Sequence, residues 1–266
     1  MSIPSTPHDT DLAFALGLAD TADAVSLPPF RSRDLRIDTK ADASFVTDAD
    51  LAVERTLRAR LAAERPGDAI LGEEYGGERA AGRQWLLDPI DGTSNYLRGV
   101  PVWGTLIALA VDGVPVVGVV SAPALGIRWW AAAGGGAWRS ERGGAPVRCG
   151  VSAVSGLAEA SLSFQSIEQW DDAGYLDRLV ALTRAVWRDR AYGDMWAYML
   201  LAEGVVDIVG EFDVKPYDLG ALIPIVEEAG GRFTSVTGDS GPWGGSALAT
   251  NGALHGAVLS SLAPTD

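Results

Sequence analysis

A chain of 266 residues, 47% of them hydrophobic, holds enough apolar material for one large core or two small ones. A formal net charge of −14 with no basic run argues against a nucleic-acid partner, because phosphate backbones select basic surfaces. A single cysteine excludes an internal disulfide and a thiolate-rich metal centre, and the two histidines, His8 near the N-terminus and His255 near the C-terminus, leave little material for a Ser-His-Asp triad or an imidazole-ligated zinc.

In chain order, apolar residues at helical spacing behind an Asp/Thr cap, ending before Pro28-Pro29, predict a helix over 9–25. Val53, Leu57 and Leu61 at i, i+4 and i+8 predict a second over 48–64, capped by Thr47 or Asp48, with Asp50 in its first turn. Short strands are expected at 69–72 and 84–87. Two apolar runs flanking Asp112-Gly113 signal a hairpin, and RWWAAAGGGAW continues as strand and turn. From about Ser152 the pattern alternates. A strand in SLSFQS is followed by a helix over 175–184, a strand over 185–190, a helix over 194–203 and a strand over 205–212. One helix through GALIPIVEEAGG, a strand at RFTSV and a helix near HGAVLSSL complete the chain.

The first part, 1–150, thus reads as helices packed on an antiparallel sheet, and the second, 151–266, as a smaller α/β layer. No Pro, Gly or Ser-rich linker separates them, so one compact catalytic unit with its site between the parts is expected. The apolar stretch 105–111 is too short to cross a bilayer, and MSIPSTPHDTD lacks the basic and apolar regions of a signal peptide. A cytoplasmic protein with no membrane partner is expected. Cys149 reads as a small buried hydrophobe and both histidines as structural or exposed.

Three stretches place acids where local structure gives little reason for them. Glu73 and Glu74 follow a strand in AILGEEYGG, Asp88 and Asp91 end the apolar run of LLDPIDGTSNY, and Asp218 heads the apolar helix of VKPYDLGALI. Singly, each has a plain explanation: a solvated strand end, a turn, a helix cap. Together they suit a hard cation, since Mg²⁺ takes oxygen ligands and keeps waters for its substrate. Such ions would give an acidic protein the positive field that a phosphate needs. Gly92 and Thr93 could add backbone N–H groups and a hydroxyl.

GEE (72–74), DPIDGTSNY (88–96) and Asp218 before a helix ending EEAGG (227–231) resemble the inositol monophosphatase family of Mg²⁺-dependent, lithium-sensitive phosphatases. VTDAD (46–50) and ATNG (249–252) match further family positions, and the resemblance runs from about residue 12 to 262. It implies an α+β fold, the layered αβαβα sandwich of that family, a homodimer and two or three Mg²⁺ ions per site. Carried over residue by residue, Glu73, Asp88 and the Ile90 carbonyl would hold one metal. Asp88, Asp91 and Asp218 would hold a second, with a weaker third ion near Glu73. Asp50 and Thr93 would position and deprotonate the attacking water, making Asp50, Glu73 and Thr93 the catalytic residues. Gly92, Thr93, Asp194, Glu211 and Asp218 would contact a small phosphomonoester substrate.

Departures from the family pattern bear on that substrate. Pro216-Tyr217 stands where a Trp commonly precedes the late aspartate, and Ser94 where Lys or Thr is frequent. Inositol-hydrolysing members carry small residues after the glycine of RDRAYGDMW; here Asp194 and Met195 follow Gly193. Two anionic side chains, Asp194 and Glu211, suit a cationic leaving alcohol better than a neutral polyol. With SAPALGIRWWA and RQWLLDPIDGT, the sequence resembles the actinobacterial histidinol-phosphatases of this family. The alternatives are an inositol-1-monophosphatase or another small sugar or nucleotide phosphatase and, from another class, a non-catalytic metal-binding interaction protein.

Overall fold

The computed structural model describes residues 5–32, 37–39 and 45–263. Its helices are α1 (Asp9–Ser26), α2 (Asp48–Glu64), α3 (Thr93–Arg98), α4 (Ile167–Asp172), α5 (Leu176–Ala185), α6 (Asp194–Ala202), α7 (Pro216–Leu219), α8 (Leu222–Glu228) and α9 (His255–Leu262). Strands β1 (Ile37–Thr39) and β2 (Phe45–Thr47) form a small antiparallel pair. A seven-stranded sheet follows in chain order: β3 (Ala69–Gly72), β4 (Arg83–Asp91), β5 (Gly104–Val111), β6 (Val114–Ala122), β7 (Ile127–Ala132), β8 (Ala137–Glu141) and β9 (Val147–Arg148). A five-stranded sheet runs β11 (Arg188–Arg190), β10 (Ser161–Phe164), β12 (Ile208–Phe212), β14 (Ser246–Thr250), β13 (Arg232–Thr234).

The period-two alternation of strand side chains sorts these elements into layers. On β4 and β5, Trp85, Leu87, Ile107 and Leu109 pack with Phe14, Leu18, Val53 and Leu57, so α1 and α2 cover one face of the large sheet. Leu86, Leu106 and Ala108 point the other way, into a cluster with Met195, Tyr198, Leu222 and Ile225. Val209 and Ala249 join that cluster from the smaller sheet, while Ile208, Leu162 and Leu248 face α4, α5 and α9. The order is helix, sheet, helix, sheet, helix, the expected αβαβα sandwich. The middle layer, α6 to α8, lies close on β6 because Gly118 carries no side chain. A Cβ there would stand 2.2 Å from the Ala221 carbonyl.

Several sequence expectations need correction. The helix expected from Asp218 through GALIPIVEEAGG is interrupted, α7 ending at Leu219 and α8 beginning at Leu222, since Pro224 has no N–H to offer the Gly220 carbonyl. The strand expected over 84–87 runs from Arg83 to Asp91, absorbing the DPID stretch read as a turn. Strands expected over 185–190 and 205–212 shorten to β11 and β12. Helices α3 and α4 and strands β1, β2 and β14 were not foreseen. Strand β14 reads SALAT, poor in β-branched and aromatic residues; burial on both faces, not propensity, makes it a strand. Cys149 is buried, with its thiol pushed up to about 12 by that burial, as a small hydrophobe should be.

Candidate active site

The alternation that builds the layers also aims the acids. Asp88 shares the Leu86 face of β4 and Glu211 the Val209 face of β12, so both point into the middle layer between the sheets. Asp91 lies three residues beyond Asp88, and on a regular strand it would face away. It does not, because β4 is bulged there: Asp88 pairs with Leu106 and Asp91 with Gly104, so Pro89 and Ile90 oppose the single residue Thr105. Pro89 has no ladder N–H to lose, and its carbonyl accepts the Thr105 hydroxyl at 2.8 Å. Ile90 is driven into a cluster with Ala49, Tyr96 and Trp103, which fixes the bulge.

Gly92 then turns the chain with φ of 80°, a left-handed conformation, and α3 begins at Thr93. The Thr93 hydroxyl lies 3.0 Å from the Ile90 carbonyl and 3.4 Å from Asp50 Oδ1. Asp50 is buried in the first turn of α2. Its Oδ2 accepts the Thr47 amide at 2.8 Å and the Thr47 hydroxyl, closing a capping box. Burial, more than the nearby Glu73 charge, lifts the Asp50 pKa to about 6.

A cleft of about 160 Å³ opens between the layers. It is lined by Glu73, Asp88, Ile90, Asp91, Gly92 and Thr93 from the N-terminal half, and by Asp194, Glu211 and Asp218 from the C-terminal half. Asp50 stands behind Thr93. Glu74, singled out with Glu73, is not among the lining residues; its amide donates to Glu54 instead. Burial raises the Asp88 carboxyl well above the usual range, and Glu73, Asp91 and Asp218 raise it further. Asp91 is raised likewise by burial and then by Asp194, although the Met195 amide at the start of α6 donates to its Oδ2 at 2.6 Å. Burial is also the main cause at Asp218, pushed up to about 7, and at Glu211, pushed up to about 8 with the Tyr198 hydroxyl donating to it at 2.8 Å. Among the described residues no lysine or arginine lines the cleft.

Such a cluster has a physical deficit of positive charge. Asp88 Oδ1 is buried with no hydrogen-bond partner, an acceptor left for a cation. Among the described residues no three acids close on a single point; they line walls. Mg²⁺, a hard ion that keeps several of its waters, needs few direct protein ligands and so does not require such a point. An all-oxygen donor set of carboxylates and the Ile90 carbonyl fits the same ion.

Sequence reasoning left open whether Asp194 merely caps α6. It makes no side-chain bond to that helix. Its φ is +49°, its amide donates to Gln165 Oε1 at 2.9 Å, and its oxygens accept Gln165 Nε2 at 2.8 Å and Asn95 Nδ2 at 3.0 Å. Gly193 permits this clasp, since a Cβ there would stand 2.1 Å from Gln165 Oε1. Gln165 and Asn95 were missed from sequence. The available signal was Gln165 one step beyond strand SLSF, on the inward-facing parity of Ser163. His255, by contrast, is buried between Thr234 and Thr250 and far from these acids in role, the structural histidine expected. ATNG is structural too: Asn251 Nδ2 donates to Ser152 Oγ and the Val154 carbonyl.

Comparison with known proteins agrees with this geometry. The profile of the inositol monophosphatase family matches residues 8–264. A histidinol-phosphatase of Mycobacterium tuberculosis is 57% identical, over 96% of this chain and 98% of its own. One of Streptomyces coelicolor is 48% identical, over 95% and 96%. An inositol monophosphatase from Zymomonas mobilis superposes with a TM-score of 0.85 at 33% identity, over 97% of this chain and 99% of its own. A layered αβαβα sandwich with its acids gathered between the sheets, matched along nearly its whole length, belongs to the inositol monophosphatase family.

Proposed function

We propose that this protein is a Mg²⁺-dependent phosphomonoesterase that hydrolyses L-histidinol phosphate to L-histidinol and phosphate, a step of histidine biosynthesis. The observation that carries the reading is the cleft's lining: Asp194 and Glu211 share it with Asp88, Asp91 and Asp218, and among the described residues no basic one does. A leaving alcohol with an ammonium and an imidazole can give both side chains charge-assisted hydrogen bonds, whereas a neutral polyol offers only uncharged hydroxyl donors. The two histidinol-phosphatase relatives support the same choice.

Glu73, Asp88, the Ile90 carbonyl, Asp91 and Asp218 would hold two or three Mg²⁺ ions. Bound there, the metal supplies positive charge for the phosphate and eases deprotonation of the nucleophilic water. The protein's own groups then divide the remaining work. Asp50 Oδ2 is committed to Thr47, so only Oδ1 is free to act, through the Thr93 hydroxyl, as acceptor of the water's proton. A carboxylate pKa of about 6 suits a base working near neutrality. Gly92 and Thr93 face the phosphate, and Asp194 and Glu211 orient the alcohol for in-line departure.

Phosphate release from histidinol phosphate and inositol 1-phosphate, with Mg²⁺ and with chelator, tests this reading. Release from histidinol phosphate, abolished by chelator and raised in KM by about tenfold or more in Asp194→Ala, is expected. Efficient turnover of inositol phosphate with none of histidinol phosphate would overturn the substrate; no release from any monoester would leave a non-catalytic metal-binding protein.

A further inference from the structure

Glu54 stands outside the cleft, in the middle of α2, and takes no part in the chemistry above. It is completely buried, and its carboxylate is aimed at the segment carrying Glu73. Oε2 accepts the Glu74 amide at 2.6 Å, and Oε1 accepts the Tyr75 amide at 3.2 Å and Arg58 Nε at 2.7 Å. Arg58 also donates to the Gly76 carbonyl, so one ion pair grips both arms of the turn. From the opposite side the Glu73 amide donates to the Leu87 carbonyl at 3.1 Å, next to Asp88. Gly72 leaves the space: a Cβ on it would stand 2.0 Å from Glu54 Oε1.

A buried carboxylate is expensive, and this one is satisfied by two consecutive turn amides and a guanidinium. The turn so fixed carries Glu73 to the wall of the cleft shared with Asp88. We propose that Glu54 is a positioning residue, which holds the 73–75 turn so that Glu73 and Asp88 face one another ready for a divalent cation. The proposal rests on the metal reading given above. In Glu54→Gln the amide nitrogen can only donate, so it confronts a turn N–H or the Arg58 guanidinium. Glu73 then loses its fixed direction while every metal-facing side chain remains.

Two measurements test it: calorimetric Mg²⁺ titration, and hydrogen exchange at the Glu74 and Tyr75 amides in chelator. Glu54→Gln and, independently, Gly72→Ala are expected to weaken Mg²⁺ binding by about 10–100-fold, the range for groups that orient metal ligands, and to release both amides to exchange. Combining Glu54→Asp with Gly72→Ala, where a shorter acid makes room for the methyl, is expected to recover at least about threefold of the loss in Gly72→Ala. If Glu54→Gln does not fold, Gly72→Ala and Arg58→Gln, which keep the acid, put the same question. Faster exchange with unchanged Mg²⁺ binding would overturn the proposal, leaving Glu54 a structural clamp. Asp88→Asn is the control: undiminished Mg²⁺ binding in that variant would remove the metal reading and this proposal with it.

Discussion

Asp50 divides its two oxygens between structure and site, Oδ2 closing the capping box of α2 and Oδ1 meeting Thr93. Asn in its place keeps an acceptor for the cap but cannot take a proton. Asp50→Asn is therefore expected to lower kcat by about 10²–10⁴, the usual share of a general base, with Mg²⁺ affinity nearly unchanged by calorimetry. Asp88 differs, because its neighbours oppose its charge. Asp88→Asn should reduce phosphate release by several kcal/mol of barrier, about 10²–10⁴-fold. In chelator the same variant should melt higher, by about 2–4 °C for about 1 kcal/mol of repulsion removed. A lower melting temperature in chelator would show that the acids do not repel one another in the folded state. At this scale the sequence named the acids but missed Gln165 and Asn95. Amide side chains are common on surfaces, and nothing local marks two of them as meeting one carboxylate.

At the scale of elements, three devices set the site: the bulge in β4, the left-handed Gly92 before α3, and the start of α6 against Asp91. Substituting Gly92 by Ala forces φ of 80° on a residue with a Cβ, which would also stand 3.2 Å from Asp194 Oδ2. Gly92→Ala is expected to cost about 1–2 kcal/mol in urea unfolding and to weaken substrate binding more than Mg²⁺ binding. Helix α9 contributes a pH dependence separate from that of the cleft acids. The Thr234 hydroxyl donates to the Ser235 carbonyl, so it accepts from His255 Nε2; the Thr250 hydroxyl, which accepts the Gly252 amide, is then the donor to Nδ1. That arrangement requires neutral imidazole. Burial, and secondarily Arg232, lower the His255 pKa from 6.5 to about 4. At this site the folded state thus binds fewer protons than the unfolded chain between about pH 6.5 and 4, so the contribution of His255 to stability falls as pH drops through that window, opposite in sign to the raised acids of the cleft. The slope contributed is at most about 1.4 kcal/mol per pH unit. Urea unfolding of wild type and His255→Asn at pH 7 and pH 5 should show the difference between them shrinking at pH 5. A difference independent of pH would contradict the neutral assignment.

For the whole molecule, the cost of gathering carboxylates is carried by two sheets and three helical layers that hold them from different sides. A cation bound only by the folded state must then stabilise everything at once. At Mg²⁺ a hundredfold above its Kd the gain is about 2.7 kcal/mol. For a chain of this size that raises the melting temperature by about 5–10 °C, and the rise should vanish in Asp88→Asn. Scanning calorimetry at graded Mg²⁺ measures it; a melting temperature indifferent to Mg²⁺ would contradict a metal site in this cleft. Among the described residues no helix is long and apolar enough to cross a membrane.

By itself the sequence determined the element types with strong periodicity, such as α1, α2 and the β5–β6 hairpin, because repeating apolar positions and Asp-Gly turn chemistry are local signals. It also determined which acids are chemically out of place: an acid at the end of an apolar run is conspicuous wherever the chain goes. Tertiary structure alone decided that Asp88 and Asp91 share a face, since their spacing of three opposes strand parity and only a bulge pinned by Ile90 reverses it. It alone made SALAT a strand and brought Glu54 to the Glu74 amide, twenty residues away, where burial and hydrogen bonding to a turn replace any pattern a sequence could display. Side-chain direction depends on the packing of distant layers, and that information is not local.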